Sequence, residues 1–216
     1  MFSSSTSTCN LREAHKTVSY HHGDLRNALV SAGVELLAEL GVEALSLREV
    51  ARRAGVSHAA PYRHFSDMQA LLTAIAEQGF GMLNDLLRTT AERAYRCESD
   101  RLKAALAGYI EFGYSHPHHS ELMFGALARI KPAHLEEVAL AAFDGLVDLV
   151  ARAMNEANSV DSRDPRLVAL ALWGHTHGFL ALSTHVDFGS LVEGGGAVDI
   201  VPKAASMTVD SLLRVR

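Results

Sequence analysis

The stretch SLREVARRAGVSHAAPYRHF, residues 46–65, constrains the fold more than any other part of the chain. Ser46 followed three residues later by Glu49 is a capping box, which predicts the start of a helix. Gly55 supplies a position where left-handed backbone costs little, so this first helix can end there. Ser57 can then cap a second, short helix of about seven residues. Two helices joined by a glycine-containing turn predict a helix-turn-helix unit.

The predicted second helix carries side chains that can contact a nucleic acid. Histidine, tyrosine and arginine can donate hydrogen bonds to phosphate, and small residues let the backbone approach a groove. Residues of these kinds are His58, Ala59, Ala60, Tyr62, Arg63 and His64. The first helix adds the cations Arg48, Arg52 and Arg53, and phosphate binding requires such local positive charge. For Arg52 and Arg53, an ordinary solvated helix face remains an equal alternative.

Composition bounds the class of protein. The chain has 216 residues, 48% of them hydrophobic, which is enough for one or two domains with a substantial core. A net charge of −5 excludes a surface that is basic throughout, but it allows a local basic face. We find no apolar run that could cross a bilayer and no secretory signal in the first ten residues, so no membrane partner is expected. Two distant cysteines, Cys9 and Cys97, indicate no disulfide framework, and we expect a cytoplasmic protein.

Apolar periodicity predicts helices along the rest of the chain. The first helix covers about residues 24–40, with Asp24 as its cap and Gly41 at its end. A long helix begins at Ser66 or Asp67 and runs past Ala91. Further helices are predicted over residues 101–115, 118–130, 132–157 and 166–185, and from the glycine-rich loop 193–196 to residue 213. The predicted fold is all-α, with a flexible arm over residues 1–20, a three-helix unit over residues 21–68 and a larger helical domain over residues 69–216.

The sequence resembles the TetR family of bacterial transcription regulators. The first helix ends in Glu-Leu-Gly, the stretch LREVARRAGVSHAAPYRHF follows, and a long helix begins after Ser66. The Ala-Gly-Val-Ser turn and the Tyr-Arg-His-Phe ending carry the likeness, which covers about residues 24–72. Further along, Trp173 with His177 and Gly178 is similar to a Trp…His-Gly pattern in one class of TetR C-terminal domains.

This resemblance implies a homodimer that binds double-stranded DNA through two recognition helices in successive major grooves. With Arg48 and Arg63 added for their charge, the predicted DNA-binding residues are Ser46, Arg48, Ser57, His58, Ala59, Tyr62, Arg63 and His64. Of these, Tyr62 and His64 would contact phosphates, and residues 57–59 would lie nearest the base edges. The family usually has a lysine where this chain has Met68, so one phosphate anchor is expected to be missing.

The resemblance also implies that residues 69–216 dimerise and bind an unidentified small molecule. A pocket there would be lined by aromatic residues and a few polar groups. The candidates are Phe112, Phe124, Phe143, Trp173 and His177, with core packing as the alternative role for each. The last two helices would supply a four-helix dimer interface, or pack within the chain, through Ala169, Leu172, Gly174, Phe179, Leu182, Ala204, Ala205, Val209 and Leu212.

A histidine cluster raises a second hypothesis, a metal-sensing regulator or an all-helical metal-dependent enzyme. His116, His118 and His119 surround Pro117, although histidines of a surface loop fit the same pattern. We find no nucleophile–base spacing, His-Glu-x-x-His run or phosphate loop. The sequence therefore favours a ligand-responsive repressor that binds a palindromic operator as a homodimer. No catalytic residue, metal site or cofactor is predicted.

Overall fold

The computed structural model describes residues 22–93, 96–125, 133–157, 162–193 and 195–213. Within these ranges every regular element is helical and there is no strand, which confirms the all-α prediction. The predicted arm over residues 1–20 lies outside the described residues. The helices are α1 (His22–Leu40), α2 (Leu47–Arg53), α3 (Met68–Arg93), α4 (Glu98–Ser115), α5 (Pro117–Phe124), α6 (Ala133–Glu156), α7 (Pro165–Ser183) and α8 (Ala197–Leu213), with 3₁₀ turns at Pro61–Arg63 and Phe188–Ser190.

The start of α1 differs from its prediction, whereas its end agrees with it. The helix begins at His22, so the predicted cap position at Asp24 lies inside the helix and the predicted start is two residues late. At the other end Gly41 has φ +73° and its N–H donates to the Leu37 carbonyl at 3.1 Å, which ends the helix as predicted.

The capping box of α2 is half formed. Ser46 Oγ accepts a hydrogen bond from the backbone N–H of Glu49 at 3.3 Å. The Glu49 carboxylate accepts from Arg52 Nε at 2.8 Å and does not serve as the reciprocal cap. After the helix, Gly55 takes φ +69°, as its position in the predicted turn requires.

The predicted second helix of the pair is a series of tight turns. In this stretch, hereafter the 57–65 segment, only Pro61–Arg63 is regular, as a 3₁₀ turn. An α-helix starting at Ser57 would need residue 61 to donate to the Ser57 carbonyl, and proline has no N–H. That carbonyl accepts from Ala60 N at 2.9 Å, and Arg63 N donates to the Ala60 carbonyl at 3.2 Å. The prediction that Ser57 caps a seven-residue α-helix is therefore wrong.

The long helix α3 joins the two predicted regions. Asp67 Oδ1 accepts from Ala70 N at 2.8 Å and so caps the helix, as the sequence allowed. Its 26 residues extend about 39 Å. A continuous core joins α1, α2 and the 57–65 segment to α3, α4 and α5, and a second core lies among α4, α6, α7 and α8. α3 therefore connects the N-terminal unit to the larger domain through packed side chains.

Two further predicted boundaries differ from the structure by three residues or more. α4 begins at Glu98, three residues before its prediction, because Cys97 takes the extended cap conformation and acidic residues favour the first turn. α5 ends at Phe124, before its predicted end at residue 130, and residues 126–132 lie outside the described ranges. The capped start of α7 agrees closely with prediction, since Asp164 Oδ1 accepts from Arg166 N at 2.9 Å.

Two glycines on α3 give a matched test of the packing between α3 and α5. A Cβ at Gly79 would lie 2.5 Å from Met123 Sδ and 3.1 Å from His119 Cβ, whereas a Cβ at Gly81 would meet nothing within 4 Å. We expect Gly79→Ala to lower the free energy of unfolding by about 1–3 kcal/mol through overpacking. Gly81→Ala should raise it by about 0.5–1 kcal/mol by reducing backbone freedom in the unfolded chain. Chemical denaturation of both variants measures the difference, and equal effects would contradict the close α3–α5 contact.

Candidate functional site

The residues predicted to bind DNA lie at the start of α2 and in the 57–65 segment, two elements that contact each other. Their side chains face solvent, apart from His64, which is half-buried. The exposed ones are Ser46, Arg48, Ser57, His58, Ala59, Tyr62 and Arg63. The sequence therefore predicted a set of residues that the fold leaves available for contact.

The 57–65 segment has two distinct sides. Pro61 and Phe65 are buried, and Phe65 is only 3% exposed. Tyr62 lies between them in sequence and is 61% exposed. The guanidinium of Arg26 on α1 lies 5.5 Å from the centroid of the Phe65 ring, which ties the segment to α1. Phe65 is thus the inward anchor, and Tyr62 is not a core tyrosine.

The arginines of this region divide into paired and unpaired groups. Arg53 bridges α2 to α1, with Nη1 at 3.2 Å from Glu35 Oε2 and 2.9 Å from Glu39 Oε1. The hydrogen bond from Arg53 lowers the pKa of Glu39 and raises that of Arg53. Arg52 pairs with Glu49 within α2, so of these two arginines it is Arg53 that joins α2 to α1.

Arg48 and Arg63 form no ion pair with any residue that the structure describes, and both are exposed. They are the arginines of α2 and the 57–65 segment whose charge is available to an outside anion. Met68, which occupies the position of the family's lysine, is half-buried against the core. In this region the positive charge available to an outside anion therefore comes from Arg48 and Arg63.

A partly open pocket of about 90 Å³ lies between α3, α4, α5, α6 and α7. We call it the aromatic cavity. It is lined by Phe80, Leu83, Leu87, Tyr109, Phe124, Ala139, Ala142, Phe143, Leu146 and Trp173. Three of the predicted pocket residues, Phe124, Phe143 and Trp173, therefore lie together on its wall. A larger cleft of about 480 Å³, also partly open, adjoins it and shares the side chains of Leu87, Ala142 and Leu146.

Hydrogen bonds connect the polar groups of the aromatic cavity. Trp173 Nε1 donates to Tyr109 Oη at 3.1 Å, and Tyr109 Oη lies 2.8 Å from Nδ1 of His177. Burial raises the pKa of Tyr109 to about 12 and lowers the pKa of His177 below its usual value. Both groups are therefore held in their neutral forms near pH 7.

Sequence reasoning missed Tyr109, which lies 64 residues from Trp173 in sequence. No local pattern joins the two residues, and only the packing of α4 against α7 brings them together. A buried tyrosine usually needs a hydrogen-bond partner, and that was the one signal available. Phe112, by contrast, does not line the cavity. It is fully buried, and its ring centroid is 5.1 Å from that of His116.

Two of the three clustered histidines, His116 and His119, make contacts within the fold. His119 is buried, and its Nε2 lies 3.2 Å from Oε1 of Gln78 on α3. The rings of His116 and His119 pack edge to face with centroids 5.8 Å apart. Across the described ranges, no group of three or more histidine, cysteine, aspartate or glutamate side chains is arranged to hold a metal ion. The metal hypothesis therefore gains no support from this geometry.

The last two helices present an apolar outer face. Of the residues predicted for a dimer interface, Ala169, Leu172, Ala205 and Val209 are buried within the chain, so intrachain packing explains them. Large hydrophobic side chains on the other side of α7 and α8 are exposed. They are Leu167, Leu170 and Leu182 on α7 and Met207 on α8. We call these four residues the α7–α8 face.

Among the helices within the described ranges, none combines the length and the hydropathy needed to span a bilayer.

Two family models match the chain. The model described as "Bacterial regulatory proteins, tetR family" matches residues 29–75. The model described as "Tetracyclin repressor-like, C-terminal domain" matches residues 102–197. The first covers α2 and the 57–65 segment, and the second covers most of the residues around the aromatic cavity.

Solved structures share the fold over nearly the whole chain. A protein of unknown function from Rhodococcus sp. RHA1 is 33% identical, with a TM-score of 0.77 over 91% of this chain and 99% of that one. The fatty acid degradation regulator FadR from Bacillus halodurans is 17% identical, with a TM-score of 0.70 over 91% and 100%. A transcriptional regulator of the TetR/AcrR family from Thermobifida fusca YX-ER1 is 18% identical, with a TM-score of 0.68 over 88% and 100%.

Proposed function

The chain belongs to the TetR family of bacterial transcriptional regulators, and from this premise we propose that it is a homodimeric repressor released from a palindromic operator by a small molecule. The protein is a DNA-binding regulator of this family, and we propose that it acts in the cytoplasm, without enzymatic activity. The observation that carries the proposal is the exposed outer side of the 57–65 segment, with Tyr62 facing solvent over a buried Phe65.

The charge distribution of this region supports DNA binding. Arg48 and Arg63 are exposed and have no acidic partner among the described residues, whereas Arg52 and Arg53 are paired. A phosphate can therefore be neutralised without breaking an existing ion pair. The small side chain of Ala59, exposed at the start of the segment, would let the backbone come close to base edges.

The α7–α8 face supports a homodimer. Monomeric proteins rarely expose large contiguous apolar patches, and helices presenting them commonly pair across a two-fold axis. A two-fold axis would present two 57–65 segments to one duplex. Half-sites one helical turn apart, about 34 Å, would then form a palindromic operator.

Contacts around α3 support a response to ligand. Phe80, Leu83 and Leu87 form one wall of the aromatic cavity, and Met68 begins the same helix about 18 Å from Phe80. A ligand that displaces this wall would move the start of α3 and the segment before it. Coupling requires that the ligand bind the DNA-competent and DNA-released arrangements with different affinity.

A second set of contacts links the larger domain to the N-terminal unit. Glu77 on α3 hydrogen-bonds His134 on α6 and lies 3.6 Å from Arg26 Nη2 on α1. Arg26 in turn packs over the Phe65 ring. The side chains of His134, Glu77 and Arg26 therefore connect α6 to the Phe65 ring, which anchors the 57–65 segment. A shift of α6 at the cavity would be transmitted through them.

The test of DNA binding is a salt titration with the wild type and Tyr62→Ala. We expect Tyr62→Ala to weaken binding to the operator and to unrelated DNA by a similar factor of about ten, because a phosphate contact carries no sequence information. Fluorescence anisotropy with both DNAs measures this, and Tyr62→Phe separates the hydroxyl from the ring. Wild-type affinity should fall steeply as salt rises. A loss confined to the operator, or affinity independent of salt, would contradict the phosphate role.

A further inference from the structure

We propose that the aromatic cavity binds an uncharged molecule whose hydroxyl or N–H group donates a hydrogen bond to Tyr109 Oη. The inference rests on the proposed function, because it names the chemical class of the molecule that would release the repressor.

The lining offers no partner to a charged ligand. Among the described residues on the cavity wall none is charged, and the polar side chains there are those of Tyr109 and Trp173. An ion transferred into such a site would lose part of its hydration without gaining a partner. A carboxylate or ammonium group would have to remain in the adjoining cleft, outside the aromatic walls.

Two hydrogen bonds determine which donor or acceptor capacity remains on the Tyr109 hydroxyl. Tryptophan Nε1–H is only a donor, so Tyr109 Oη accepts from Trp173. When His177 Nδ1 is unprotonated, it accepts the Tyr109 O–H at 2.8 Å. The hydroxyl of Tyr109 has then used its proton and one lone pair. What remains is one lone pair, which accepts from a ligand that carries a donor.

The opposite tautomer of His177 is less favourable before a ligand binds. A proton on Nδ1 would donate to Tyr109 Oη, and the tyrosine O–H would then point into the cavity without a partner. A buried donor without an acceptor is costly, whereas an unused lone pair is not. We therefore assign the Tyr109 O–H to His177, so the cavity offers an acceptor and not a donor.

The size of the cavity points to a ligand portion no larger than one ring. About 90 Å³ is smaller than the cavity of about 150 Å³ that holds benzene in an engineered protein core. A single ring would therefore enter by displacing part of the wall. The open cleft reaches this wall at Leu87, Ala142 and Leu146, which join α3 to α6. Entry would thus separate the two helices that carry the contacts to the N-terminal unit.

Four single-ring probes test the assignment. Phenol carries a donor, benzaldehyde carries only an acceptor, toluene carries neither, and benzoate is charged. Trp173 is the one tryptophan in the sequence and lies on the cavity wall, so its fluorescence reports on binding directly. We expect phenol to bind about tenfold more tightly than toluene or benzaldehyde, and benzoate not to bind at millimolar concentration.

Two matched variants identify the residue responsible. Tyr109→Phe removes the acceptor and should make phenol and toluene bind equally, while retained toluene binding shows that the cavity is intact. Tyr114→Phe is the control, because Tyr114 lies on the same helix and donates to Ser183 Oγ at 3.0 Å outside the cavity. Tyr114→Phe should keep the tenfold preference for phenol.

Several results would overturn the inference. These are equal binding of phenol and toluene to the wild type, preference for benzaldehyde, tight binding of benzoate, an unchanged preference in Tyr109→Phe, or no binding of any probe. DNA binding is measured separately on the same preparations. Operator binding without the phenol preference would refute the inference alone, and the phenol preference in a protein that binds no DNA would refute the proposed function alone.

Discussion

Replacing Phe65 with alanine is expected to lower the free energy of unfolding by about 3–5 kcal/mol and to abolish operator binding. The ring is 3% exposed, lies in the core shared by α1, α2 and α3, and carries the Arg26 guanidinium over its face. The backbone N–H of Phe65 also donates to the Pro61 carbonyl at 2.9 Å, which closes the 57–65 segment. Without the ring the segment loses its inward anchor, and the exposed side chains lose their fixed orientation.

The control for this prediction is Tyr62→Ala, three residues away on the outer side of the same segment. Tyr62 is exposed, so its truncation should change the free energy of unfolding by no more than about 0.5 kcal/mol while weakening DNA binding. Urea denaturation and anisotropy on both variants separate the two roles. If Tyr62→Ala destabilised the fold as much as Phe65→Ala, the two-sided description of the segment would be wrong.

The second large effect is expected at the α7–α8 face. Leu170 is 51% exposed there, and Leu170→Asp would place a charge in the proposed dimer interface. Burying an unpaired charge is strongly unfavourable, so we expect the dimer dissociation constant to rise by about 100-fold or more. Operator affinity should fall by a similar factor, because a monomer contacts one half-site. Sedimentation velocity over a range of protein concentrations measures the dissociation directly.

Leu140→Asp is the matched control for the dimer prediction. Leu140 lies on α6, outside the α7–α8 face, and is 50% exposed, so the same substitution removes the same kind of side chain at almost the same exposure. We expect this variant to stay dimeric and to bind the operator normally. A dimer that survives Leu170→Asp, or that dissociates equally in both variants, would place the interface elsewhere.

Local signals in the sequence predicted much of the N-terminal unit because its turns are set by single residues. Ser46 and Asp67 accept hydrogen bonds at helix starts through their side chains, and Gly41 and Gly55 adopt positive φ at helix ends. The shape of the 57–65 segment was mispredicted because the expected helix would pass through Pro61, which has no N–H. The Ser57 carbonyl finds no N–H at residue 61 and accepts from Ala60 N instead, which gives a tighter turn than an α-helix.

The larger domain was less predictable because its site depends on contacts between distant residues. Apolar periodicity located the helices, and aromatic content suggested Phe124, Phe143 and Trp173, which the fold brings together. Periodicity cannot say which buried ring faces a cavity, so it could not separate Phe112 from these three. Nor could it find Tyr109, whose importance comes from partners on α7.

Selection of bound DNA from a random pool tests the central claim most directly, because it examines sequence recognition and two-fold symmetry together. The full-length protein should enrich an inverted repeat whose two half-sites are separated by a constant interval, and Leu170→Asp should enrich it far less. Enrichment of no sequence, or of single half-sites without a fixed partner, would contradict the claim that a dimer binds one duplex through its two 57–65 segments.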